Sequence, residues 1–150
     1  MDIDLLLACL HHLAVFTLVG IVAAEFALLR PGIAGAQLSR LGMIDGAYGA
    51  VAGLVLVAGV LRVFFGASGI NYYAHNWVFG LKMAAFLGVG LLSIQPTLAI
   101  LRWRKTLKTN PGFVPTDAEV KRSRNFLHGE IALLVFIPLF AAAMARGYGV

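Results

Sequence analysis

The sequence holds a single cysteine, Cys9, so an intramolecular disulfide and a cysteine-rich metal centre are both excluded. Charge is scarce: Asp, Glu, Lys and Arg make up 13% of the residues, against about 25% in soluble domains. With 60% hydrophobic residues and a mean hydropathy of +0.87, this shortage excludes an ordinary soluble domain and a disordered chain. No Lys or Arg precedes Arg30, and Asp2 and Asp4 open the chain. The basic start of a signal peptide is therefore missing, and the first apolar run is expected to be retained as a helix. No nucleophile elbow, phosphate-binding loop, two-metal carboxylate cluster, low-complexity tract or convincing repeat is present. A nucleic-acid surface is not expected either. Seven of the 12 Lys and Arg fall between Arg102 and Arg124, so the net charge of +5 comes mainly from one loop.

What is there is apolar sequence in lengths that suit a bilayer. A membrane helix needs about 20 apolar residues, and four such runs fit at about residues 5–29, 41–65, 77–101 and 126–146. The expected fold is all-α: one integral membrane four-helix bundle with no room for a separate soluble domain. Arg30-Pro31-Gly32, Gly66 with Gly69, and Asn110-Pro111-Gly112 mark the breaks. Thr116 followed by Glu119 reads as a capping box well ahead of the apolar run at Ile131. The third and fourth helices are therefore expected to project from the bilayer as a basic hairpin over residues 102–125. Gly49 and Gly53 form a small-xxx-small pair, a packing surface for a neighbouring helix in this chain, in a homodimer or in a larger membrane complex. Ser93, Gln95 and Thr97 stand ready to satisfy the carbonyl that Pro96 frees, and Pro138 predicts a bend.

Orientation follows the basic residues. The two loops at residues 30–40 and 102–124 carry nine Lys and Arg, and the rest of the chain carries three. The loops are expected in the cytoplasm and both termini on the outer, periplasmic side. Tyr72, Tyr73 and Trp77 then mark the outer interface and Trp103 the inner one.

Ionisable residues inside the spans sort by depth into two layers. At 1.5 Å per residue, His11 and Lys82 both lie roughly 8–9 Å below the outer ends of their helices. Arg62 shares that layer, with His12 and His75 nearby. It has cations and histidines but no acid below the surface. Three explanations are open: Lys82 is neutral, Lys82 and Arg62 snorkel to the surface, or an anion with an apolar body sits there. A haem or porphyrin, a lipid headgroup and a quinone all meet the last description. His11 and Glu25 are 14 residues apart, close to four turns, so His11 rather than His12 shares the face of Glu25. The inner layer holds Glu25, Asp45 and Glu130 beside Arg102 and His128. It is expected to neutralise itself, through ion pairs that fix packing or as a proton relay.

The runs Leu10-His11-His12-Leu13-Ala14-Val15, Leu28-Leu29-Arg30-Pro31, Asn76 to Lys82, Leu92 to Thr97 and Arg102-Trp103-Arg104 resemble a bacterial family of uncharacterised small integral membrane proteins. That resemblance covers nearly the whole chain and implies the bacterial inner membrane. A second resemblance is to HemJ-type protoporphyrinogen oxidases, membrane helical proteins that bind haem b. It rests on Leu10 to Val15, on Trp77 with Lys82, and on Glu130 opening the last helix. It implies His11 as haem ligand or catalytic histidine and Lys82 as a catalytic lysine. The element after the first helix departs from that family's order, reading Leu29-Arg30-Pro31, and Gly129 stands where its Asn-Glu pair begins. The function expected from both lines is haem or porphyrin binding at the outer layer, by His11, His12, Arg62, His75 and Lys82, with a redox or tetrapyrrole-handling role. The alternatives are a non-enzymatic subunit or assembly factor and a small proton-coupled carrier.

Overall fold

Apolar runs in lipid must satisfy their backbone internally, and helices do so. The computed structural model describes residues 2–150 and forms five helices there: α1 (Ile3–Leu28), α2 (Gly35–Phe65), α3 (Gly69–His75), α4 (Trp77–Thr109) and α5 (Asp117–Ala145). Of these, α1, α2, α4 and α5 are long and apolar enough to cross a membrane. Large apolar side chains on each of them, such as Phe16, Leu54, Leu87 and Val135, point outward, as a lipid-facing surface requires.

Short polar side chains start the helices. The carboxylate of Asp2 accepts from the Asp4 amide at 3.2 Å, and the Asn76 side chain accepts from the Phe79 amide at 3.1 Å. At α5 the Thr116–Glu119 capping box forms as the sequence predicts. Gly32 ends the turn after α1 in the left-handed region at φ 79°.

Two boundaries differ from the sequence reading. α2 begins at Gly35 instead of near Leu41. Its first turns expose Gln37 and Arg40 but bury Leu38 and Leu41 completely. This stretch is amphipathic, so a criterion of continuous apolar sequence misses it. The connection after α2, where the sequence shows only the break at Gly66 and Gly69, also contains a short helix, α3. Tyr72 anchors it by donating to the Met144 carbonyl at 2.8 Å.

The long helices form a ring in the order α1, α2, α4, α5, each antiparallel to its neighbours. Asp4 accepts from the Ala67 amide and His11 lies against Gly59, which sets the α1–α2 register. Arg102 pairs with Glu119, and Gly129 faces Leu92, which sets α4–α5. Thr97 with Asp45 joins α2 to α4, and Arg124 joins α5 to the end of α1. Both termini lie at one end. There Asn76 donates to the Tyr148 carbonyl and the Trp77 amide to Gly149. The basic hairpin occupies the other end, over a core of Leu29, Leu38, Leu41, Ile100, Trp103 and Leu127.

The glycines of α2 do not pack as expected within the chain. Gly46, Gly49 and Gly53 are exposed with open space before them. The close approaches occur instead at Gly42, under the Arg104 side chain, and at Gly59, under the His11 ring. The polar residues around Pro96 are also differently employed. Ser93 donates to the Gly90 carbonyl at 2.7 Å, Thr97 donates to Asp45, and the Gln95 oxygen has no partner.

Candidate functional site: two polar layers in an apolar bundle

The outer layer brings together three helices. α1 turns His11 inward, half-buried, and leaves His12 exposed. A Cβ at Gly59 would stand 3.3 Å from the His11 ring, so the glycine lets that ring lie against α2. α2 contributes Arg62 and α4 contributes Lys82, both half-buried, and the charges of both act on His11. Nδ1 of His11 and Nε of Arg62 are buried without a hydrogen-bond partner. Among the described residues no carboxylate pairs with Arg62 or Lys82. The remaining histidines stand apart from the layer's interior. His12 is tied through Nδ1 to the Ala8 carbonyl at 2.7 Å, and His75 sits exposed on α3 with Nδ1 at 2.9 Å from the Asn71 carbonyl.

The inner layer assembles only in part as expected. Glu25 from α1, Asp45 from α2 and Glu130 from α5 are 4%, 6% and 1% exposed. The charges of Asp45 and Glu130 act on Glu25, and that of Asp45 acts on Glu130. Thr97 of α4 donates to Asp45 at 2.6 Å, and the Tyr48 hydroxyl stands beside Glu130 and Ser93. The expected neutralisation by Arg102 and His128 does not occur. Arg102 is exposed and pairs with Glu119 at 2.8 Å. Its partner is 11 residues from Glu130, roughly 16 Å along α5. His128 faces outward, with Nδ1 on the Arg124 carbonyl at 2.9 Å and its ring edge-to-face with Phe26. Depth alone placed these groups together, and helix phase and register separate them.

Two other arginines are engaged by backbone carbonyls, and of these Arg104 lies near enough for its charge to act on Asp45. Arg104 donates to the Gly42 carbonyl at 3.2 Å. Arg124 donates to the carbonyls of Phe26 and Leu29 and lies 4.2 Å from the Phe26 ring centroid. It thereby caps a helix whose own last turn has no basic residue. Neither arginine, nor Thr97 as the partner of Asp45, is marked by a local sequence signal.

Two grooves are also visible. One, about 230 Å³, lies between α4 and α5 at the basic end, beside Gln95, Arg102 and Glu119. The other, about 300 Å³, opens between α2 and α4 over Tyr48, Gly49, Gly53, Phe86, Gly90 and Ser93. Neither is lined by His11, Arg62 or Lys82.

At the basic end, the Thr116 backbone amide holds the Glu119 carboxyl below its ordinary value of 4.5, helped by the Thr116 hydroxyl and Arg102. A carboxyl lowered in the folded state stabilises above its unfolded value, and that stability is lost as pH falls through the folded one. Glu119→Gln, which removes the titrating carboxyl, is therefore expected to cost about 0.5–1.5 kcal/mol at neutral pH and progressively less in acid. Unfolding of detergent-solubilised protein against pH checks this, and a pH-independent difference between variant and parent would refute it.

A family model described as "Predicted membrane protein (DUF2214)" matches residues 3–149. No curated protein and no solved structure matches the chain.

Proposed function

This chain belongs to the DUF2214 family of predicted membrane proteins, and from that premise we propose that it binds an anionic amphiphile, haem b or a related porphyrin, at its outer cationic layer. The observation that carries this reading is the convergence of His11, Arg62 and Lys82 from three helices without a carboxylate among them. Burying a cation or a ring nitrogen without a partner is unfavourable. A ligand with acidic groups removes that penalty, and an apolar body lets it arrive from the bilayer.

Haem b suits this donor set. His11 would hold the iron, and Lys82 and Arg62 would hold the propionates. His12 and His75 each keep one ring nitrogen free of the carbonyl that holds the other, and either is a candidate for a second ligand. Bound haem would supply one-electron chemistry. The chain's own residues would orient the macrocycle, neutralise its acids and keep water from it. In this reading the membrane is a bacterial inner membrane, and the Lys and Arg count supports a cytoplasmic basic hairpin with this layer toward the periplasmic side.

The test is an absorption spectrum of the protein purified in mild detergent from cells supplied with haem precursor, taken oxidised and after dithionite. The expected result is a Soret band with sharpened bands on reduction. A colourless protein from such cells would overturn the haem reading.

A further inference from the structure

We propose that Glu25, Asp45 and Glu130 form a proton-exchanging site inside the membrane, separate from the outer layer and independent of what binds there. The antiparallel register that puts Asp4 at Ala67 and His11 at Gly59 brings Glu25 level with Asp45. The α1–α5 contact at Phe26 brings Glu130 to the same neighbourhood. Three carboxyls from three helices thus share one buried space.

Their partners are too few for three negative charges. Asp45 has the Thr97 hydroxyl. Oε1 of Glu25 and Oε1 of Glu130 are buried with no hydrogen-bond partner, on residues 96% and 99% removed from the surface. The groups that face the cluster from each helix are otherwise accounted for. From α2 comes the neutral phenol of Tyr48, and from α4 come Ser93, Thr97 and Arg104. From α5, Arg124 is held at the end of α1 and His128 points outward. Arg104 and Arg124 donate to backbone carbonyls, and no ion pair reaches the three acids among the described residues.

An unpaired buried carboxylate is far less favourable than its neutral acid. Arg104 keeps its charge and acts on Asp45 alone among the three, so the charge of Glu25 and Glu130 has to be met by a bound cation. The described residues contain no group of three acidic, histidine or cysteine ligands arranged to hold a metal ion. The ion that fits is the proton, which needs one oxygen at a time. Each uptake converts one carboxylate to a carboxylic acid and adds one positive charge to the site.

Infrared difference spectroscopy on the full-length protein, between acid and alkaline buffer in H₂O and then D₂O, tests this. The expected spectrum has carbonyl bands of protonated carboxylic acid that persist at neutral pH, shift in D₂O, and give way to carboxylate bands in alkali. Glu25→Gln and Glu130→Gln should each remove one band. If those variants do not fold, carboxyl-labelled glutamate in the unsubstituted protein identifies the same bands by their isotope shift. Carboxylate bands alone at neutral pH would overturn the proposal, because the acids would then be permanently ionised. Acid bands that never shift in D₂O would also overturn it, because the protons would be sealed in and structural.

Discussion

His11→Ala is expected to abolish the Soret band of the haem-loaded protein while leaving a folded, membrane-inserted chain. His11 is half-buried, its Nδ1 has no close partner and only the Val55 backbone acts on the ring as a hydrogen-bond group, so its removal costs the bundle little hydrogen bonding. The stability loss should stay near the ordinary ~1 kcal/mol of a point substitution. The loss of the inward ligand should be complete, because His12 and His75, the candidates for the second position, are exposed and stand apart from the layer's interior. Lys82→Met and Arg62→Gln should behave differently. Each would retain the band position but weaken binding by roughly 10- to 100-fold, the equivalent of one charge-assisted hydrogen bond at about 1.5–3 kcal/mol. Haem titration of the three purified variants separates the roles. A normal spectrum for His11→Ala would remove His11 as ligand, and an unchanged affinity for both cation variants would remove them as propionate partners.

The largest effect on stability is expected from Trp103→Ala. Trp103 is 1% exposed and belongs to the core at the basic end, among Leu38, Leu41, Ile100 and Val120. Emptying a site of this size costs about 3–5 kcal/mol, a large share of the 5–15 kcal/mol that holds a typical domain together. The damage should be local at first. Trp103 closes the α4–α5 hairpin over the start of α2, while the lipid-buried parts of the four long helices keep their own backbone bonds. Near-ultraviolet circular dichroism during thermal unfolding in detergent should show a lowered transition, with helix content, read in the far ultraviolet, retained beyond it. Trp103→Phe should recover much of the loss, since most of the volume remains. A loss under 1 kcal/mol in Trp103→Ala would mean that this end is not the cooperative core that its burial indicates.

The two polar layers illustrate how far residue types and depth can lead. His11, Arg62 and Lys82 were legible as one layer because each sits a countable number of residues from a helix end. Helix phase also distinguished His11 from His12. The inner layer was legible as a set of acids and unreadable as a set of pairs. Arg102 and His128 have the right sign and about the right depth, yet one is three turns away from Glu130 and the other points outward. Asp45 finds Thr97, 52 residues away, and Arg124 finds two carbonyls more than 90 residues away. Nothing local marks such partners.

The sequence by itself determined that this is a membrane protein of four long apolar helices, where its breaks fall, and which end is basic. These follow from length, hydropathy and capping, which act between near neighbours in the chain. The tertiary structure decided which helices adjoin and which face of α2 stays open. It also decided that the three buried acids gather in one region with no ion pair to any of them among the described residues. Those outcomes depend on rotation and register between antiparallel helices. A shift of one or two residues along a helix there exchanges an inward group for an outward one.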